Sequence, residues 1–139
     1  MSGVDPVGAP ETQIIAADED VVRVRQLVRK AGVAAKLSLV DQTKLVTAAS
    51  ELARNTLVYG GGGQAVVEIV TNGRRTGVQA AFVDKGPGIA DVDRALSDGY
   101  TTGRGLGLGL GGARRLVDEF DIQTEVSIGT RITVTKWAR

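Results

Sequence analysis

Apolar positions between residues 18 and 31 recur with helical spacing. Val21, Val22, Val24, Leu27, Val28 and Ala31 form one stripe, and Arg23, Arg25, Arg29 and Lys30 interleave as its wet face. Asp18 precedes the stripe and Gly32 follows it, so the pattern predicts a helix that stops at Gly32. Residues 12–17, just ahead, read as a first strand. Ser38-Leu39-Val40-Asp41 has the form of a capping box, with Asp in place of the usual Glu. From there Leu45, Ala48, Ala49, Leu52 and Thr56 make the buried stripe of a long helix ending before Gly60. Gly60, Gly61, Gly62 and Gly63 then interrupt any regular element.

Residues 65–70 and 77–84 are β-branched runs, and Asn72-Gly73 between them favours a tight hairpin. Residues 91–96 predict a short helix, and the polar, glycine-punctuated stretch 97–104 a mobile loop. Residues 106–120 predict a further helix with Leu110, Ala113, Leu116, Val117 and Phe120 facing inward. Strands at 122–128 and 131–137 follow around a turn at Gly129. Hairpin-joined strands with helices over one face predict a two-layer α/β sandwich, one domain over residues 12–139, without internal repeats. Residues 1–11, rich in Pro, Gly and acid, read as a disordered lead.

Composition narrows the chemistry. A net charge of +1 weighs against recognition of nucleic acid or a membrane by bulk charge, and 4% aromatic residues against a reader built on base stacking. Tyr59, Tyr100 and Trp137 are accordingly expected as packing or edge residues. With no cysteine there is no disulfide and no thiolate metal site, which suits a reducing cytoplasm. With no histidine, the commonest general base, the imidazole zinc ligand and a phosphohistidine relay are all absent from this chain. A base is then expected to be a carboxylate, and a metal to be a hard, oxygen-liganded ion such as Mg²⁺. No apolar run approaches the length of a membrane span, and the first residues lack the basic and apolar regions of a secretory signal. The expectation is a soluble cytoplasmic protein.

Three stretches supply candidate chemistry. Glu51 and Asn55 are four residues apart and share one face of the long helix. Asn55 offers a neutral oxygen to Mg²⁺, and Glu51, one turn away, a carboxylate able to take a proton from an attacking hydroxyl or water. On bland grounds the pair would be two solvated residues on the outer side of an amphipathic helix. Asp84 ends a strand before Gly86-Pro87-Gly88, an arrangement that an ordinary β-turn also produces. There the carboxylate can accept from an exocyclic amine, and the glycines leave room for a flat ring. The third stretch is Gly105-Leu106-Gly107-Leu108-Gly109-Leu110-Gly111-Gly112, where glycines cost a helix roughly 1 kcal/mol each against alanine. A phosphate lid running into a helix N-terminus explains that cost, and Arg104 beside it is a candidate for the γ-phosphate. Gly107, Gly109 and Gly112 match a dinucleotide fingerprint, with Glu125 at about the expected distance, but no strand precedes them. No Gly-Lys-Ser/Thr occurs, which excludes a Walker loop.

In this order the stretches resemble the N, G1 and G2 boxes of the GHKL ATPase superfamily, whose nucleotide fold is the Bergerat sandwich. The resemblance runs from about Thr12 onward and is strongest to the small serine/threonine kinase and anti-sigma branch, its stressosome switch kinases above all. Ser50-Glu51-Leu52-Ala53-Arg54-Asn55, Asp84-Lys85-Gly86-Pro87-Gly88-Ile89, Arg115-Leu116-Val117-Asp118-Glu119-Phe120 and the final Lys136-Trp137-Ala138-Arg139 carry it. Tyr59-Gly60 stands where the wider anti-sigma branch often has His-Gly. The resemblance implies an ATP- and Mg²⁺-dependent kinase that phosphorylates STAS-domain proteins and then exchanges partners to activate a phosphatase or cyclase. It also implies site roles: Asn55 for Mg²⁺, Glu51 as base, Asp84 for the adenine amine, Gly86 and Gly88 along the ring. Gly105, Leu106, Gly107, Leu108 and Gly109 would wrap the phosphates, and Thr130 would support adenine beside Asp84. The rival expectation is a binding module, an anti-sigma factor or phosphatase activator without essential kinase activity.

Overall fold

The computed structural model describes residues 3–97 and 109–139. Its elements in chain order are β1 (Asp5–Pro6), β2 (Glu11–Ile15), α1 (Asp18–Ala34), α2 (Leu39–Val58), β3 (Gly63–Thr71) and β4 (Thr76–Asp84), then α3 (Val92–Ala95), α4 (Leu110–Leu116), β5 (Glu119–Glu125) and β6 (Gly129–Trp137). The expected two-layer sandwich forms. The strands lie in the order β1-β3-β4-β6-β5, with β2 also on β3, and every described pairing is antiparallel. Within the lead, Asp5 and Pro6 pair with Thr71 and Val70, a contact the composition did not point to.

Alternation along the strands sends Ala65, Val67, Val78, Ala80, Phe82, Ile132 and Val134 to the core. The helices answer with Val21, Val24 and Val28 from α1 and Leu45, Ala48, Ala49 and Leu52 from α2. Val22, expected in the stripe, is exposed. Asp20 caps α1 by accepting from the N–H groups of Ala16 (2.9 Å) and Ala17 (3.1 Å). Gly32 does not end that helix. It lies inside α1, where an added Cβ would come within 3.2 Å of Gln42 on α2, so its bareness serves helix–helix contact. The reversal comes at Lys36, at φ 66°, and is closed by Leu37 N–H donating to Gly32 O at 2.9 Å. Ser38 caps α2 as expected, accepting from Asp41 N–H at 3.1 Å.

The hairpin between β3 and β4 forms around Asn72-Gly73 as expected: Asn72 N–H donates to Arg75 O at 3.1 Å, Asn72 Oδ1 accepts from the N–H groups of Arg74 and Arg75, and Thr71 pairs with Thr76. One further expectation is corrected. The predicted long helix over 106–120 is the short α4 among the described residues, and Phe120 belongs to β5. Val117 is already extended, and Asp118 draws the chain into the sheet: its N–H donates to Thr135 O, and its carboxylate accepts from Trp137 N–H at 2.7 Å.

Asp118 also belongs to an ion cluster at one end of the sheet. Lys136, 5% exposed, lies 3.5 Å from Asp118 and 3.6 Å from Asp41 in the first turn of α2. Arg139 reaches the same two carboxylates. The indole of Trp137, which is buried, donates to Glu119 at 2.7 Å. The opposite end of β4 and β6 holds Asp84 paired with Thr130, and the C-terminal half of α2 passes over it. Among the described residues no helix is long and apolar enough to cross a membrane.

Candidate functional site

A cavity of about 380 Å³ opens between the C-terminal half of α2, the sheet end at Asp84 and the segment after β4. Leu52, Phe82, Leu110 and Ile132 give it an apolar floor continuous with the core. Asn55, Thr56, Asp84 and Thr130 supply polar groups, with Asp91 and Arg94 at the α3 side. A mostly apolar pocket of this size, with few convergent polar groups, suits a flat heterocycle.

Asp84 sits centrally at the sheet end, paired with Gly63 on one side and Thr130 on the other. Desolvation raises its carboxyl above the ordinary value, and backbone hydrogen bonds from Gly86 (2.8 Å) and Thr130 oppose the shift. A partly desolvated carboxylate with a fixed orientation is a selective acceptor for an amine. Gly88, at φ 77°, lines the cavity, and a Cβ there would strike the carbonyl of Glu125. Gly86 is not in the wall. A Cβ on it would meet the Cα of Gly60 at 2.7 Å, so it lies one layer behind.

On α2, Asn55 is 8% exposed and faces the cavity, with its Oδ1 buried. Its backbone carbonyl accepts from Tyr59 N–H (2.9 Å) and Gly60 N–H (3.1 Å), which ends the helix against the site. Glu51, one turn earlier, is half-buried but outside the cavity wall. Desolvation raises its carboxyl, with Arg54 opposing. Its neighbour is Gly109, the left-handed cap of α4 at φ 55°, where an added Cβ would lie 2.6 Å from Glu51 Oε2. Glu51 therefore stands where the chain re-enters from the glycine run. Arg104, Gly105, Leu106, Gly107 and Leu108 lie outside the described residues, as do Tyr100 and most of the expected loop.

The residue pattern missed several neighbours. Tyr59, expected as a packing or edge residue, lines the cavity on the same helical face as Asn55. Gly60 lies against the Asp84 side chain, and a Cβ on it would come within 2.6 Å of the Asp84 Cβ. The four-glycine run thus has a use: Gly61 and Gly62 take positive φ, and Gly63 brings β3 against the Val83 carbonyl. Thr124 and Arg94 carried no motif signal, and an alternating strand pattern is all that marks Thr124; Ile89 closed the Asp84–Ile89 motif without a role of its own. Among the described residues no three His, Cys, Asp or Glu converge to hold a metal by themselves. A divalent ion near Asn55 would have to share phosphate oxygens and water, the habit of Mg²⁺, and the hard amide oxygen of Asn55 fits that ion.

The sequence profile of the family described as histidine kinase-, DNA gyrase B- and HSP90-like ATPase matches residues 40–139. The chain is similar to the serine/threonine-protein kinase RsbT of Bacillus subtilis (strain 168), with 41% identity over 125 residues covering 90% of this chain and 94% of that one. Its fold is similar to the crystal structure of the RsbU and RsbW domains of a Mycobacterium tuberculosis protein, with a TM-score of 0.66 at 21% identity. That match covers 95% of this chain and 33% of the other.

Proposed function

Because the chain belongs to the histidine kinase-, DNA gyrase B- and HSP90-like ATPase family, we propose that it is a protein serine/threonine kinase that acts as a partner switch. Its phosphoryl donor is ATP and its acceptors are STAS-domain proteins, with exchange onto a phosphatase or cyclase regulator as the output. The purine lies on the apolar floor with its exocyclic amine on Asp84, beside Thr130 and Gly88. The phosphates extend toward Asn55, and the candidates to wrap them are Gly105, Leu106, Gly107, Leu108 and Gly109, with Arg104 as a further charge for the γ-phosphate. Mg²⁺, when bound through Asn55, neutralises phosphate charge. A cytoplasmic site of action fits such a regulator.

The observation that carries the kinase reading is the placement of Glu51, one turn from Asn55, at the start of α4, with its carboxyl raised by burial. In the transfer step the partner's hydroxyl oxygen bonds to the γ-phosphorus as the bond to the β,γ-bridging oxygen breaks. The hydroxyl proton passes to Glu51, and ADP leaves. Positioning and charge carry most of such a reaction. A pure binding module has no use for a base at that position.

Single-turnover transfer from γ-labelled ATP to STAS proteins tests the proposal. Glu51→Gln is expected to bind ATP nearly as well as wild type and to transfer 10²–10⁴-fold more slowly, the usual contribution of a general base. Asn55→Ala is expected to lose Mg²⁺-dependent affinity and transfer together. Full transfer by Glu51→Gln removes the base assignment, and absence of transfer by wild type to any STAS partner leaves the binding module.

A further inference from the structure

Thr124 does not line the cavity, yet its hydroxyl joins two parts of the cavity wall, Ile89 and Thr130. Ile89 N–H donates to Thr124 Oγ1 at 2.9 Å, which ties the segment after Gly88 to β5. Thr124 Oγ1 lies 2.8 Å from Thr130 Oγ1 and 3.2 Å from the carbonyl of Gly129. The residue before Gly88 is held as well, by Ser127 N–H on Pro87 O at 2.8 Å. Thr124 is thus a junction between the Gly88–Ile89 side of the cavity and the Thr130 side.

A hydroxyl has one hydrogen, and that fixes what the junction can do. When Thr124 donates to Gly129 O, the hydrogen of Thr130 is drawn back onto Thr124 Oγ1. When Thr124 turns its hydrogen onto Thr130 Oγ1, the hydrogen of Thr130 is released toward the cavity that Thr130 lines. The two arrangements differ by one hydroxyl rotation and leave the Ile89 bond unchanged.

We propose that Thr124 is a positioning residue for the nucleotide: its rotation directs the Thr130 hydroxyl into the cavity while its bond to Ile89 holds the opposite wall. The proposal rests on the reading above, in which a purine lies between Asp84, Thr130 and Gly88. Thr124 touches no ligand atom and acts through Thr130.

Calorimetric titration of the full chain with ATP and Mg²⁺ tests this on wild type, Thr124→Val, Thr124→Ser, Thr130→Val, the Val/Val double variant and Asp84→Asn. Valine keeps the shape of threonine and removes the hydroxyl, so Thr124→Val is expected to weaken ATP binding about tenfold, the scale of buried groups left without partners. Thr124→Ser keeps the hydroxyl and is expected to stay within about threefold of wild type on the same grounds. In the Thr130→Val background Thr124→Val is expected to cost clearly less than about tenfold, because the group it directs is gone and only the bond to Ile89 is lost. Thermal melts accompany each titration, and Thr124→Ala replaces Thr124→Val if the latter does not fold. Wild-type affinity in Thr124→Val, no rescue by serine, or a full tenfold loss in the Thr130→Val background each overturns the proposal. If wild type fails to bind ATP, or Asp84→Asn binds it unchanged, the nucleotide reading itself falls and the Thr124 role with it. If those two behave as expected and the Thr124 variants do not, the Thr124 proposal alone is lost.

Discussion

Burial raises the carboxyls of Asp84 and Glu51 alike, with different consequences, because one is an acceptor at the cavity wall and the other stands beside Gly109. Asp84→Asn removes the charged acceptor and is expected to cost roughly 1–3 kcal/mol of ATP affinity. It should also narrow the preference over GTP, which presents an oxygen where ATP has its amine. Parallel calorimetric titrations with the two nucleotides check both, and unchanged ATP affinity would take Asp84 out of the site. For Glu51 the sign is set by the upward shift. The base form disappears as pH falls through a value above that of an ordinary glutamate, so the acid limb of the transfer rate should lie higher than 4.5. Glu51→Gln should show no such limb. Stability runs the other way. A carboxyl raised in the folded state burdens folding little below its unfolded pKa, and increasingly as pH rises through the folded one. At neutral pH Glu51→Gln should therefore melt higher than wild type, and a lower melting temperature would show that burial is not the controlling influence.

The long helix α2 was the most legible element. Its cap and its stripe follow from local spacing, and the structure reproduces both; Glu51 and Asn55 lie one turn apart as the spacing requires, but only Asn55 lines the cavity. What escaped was whatever depends on a partner distant in sequence. Nothing local shows that Gly60 rests on Asp84, or that Gly86 is bare for Gly60 and not for a ligand. Gly32 looked like a stop because its partner, Gln42, belongs to the next helix. Residues 117–120 fit a helical period as well as a strand, and only the ties of Asp118 to β6 decide between them. The approach of Gly109 to Glu51 can be tested at this scale. Gly109→Ala places a side chain in left-handed backbone, costing roughly 1–2 kcal/mol, and presses on Glu51 Oε2. Phosphotransfer should fall more than ATP affinity does. Equal losses in both would mean that α4 serves binding alone.

Across the whole molecule, the site is built at one end of α2, β4 and β6, and the ion cluster joins α2 to β6 at the other. Lys136→Met removes a buried cation and leaves Asp41 and Asp118 facing each other with Arg139 as their remaining cation among the described residues. Breaking a buried pair in this way is expected to destabilise by roughly 3–5 kcal/mol, measurable by urea unfolding. A loss below about 1 kcal/mol would place the pair among ordinary surface contacts. The seclusion of Lys136 also separates the two ends by their response to ionic strength. Mobile ions screen charges they can surround and have little hold on a cation enclosed by protein. Added potassium chloride should therefore weaken attraction for a polyanion at the open end while barely moving the unfolding midpoint contributed by the closed one. Titrated salt becomes a probe that distinguishes mouth from frame without changing a residue.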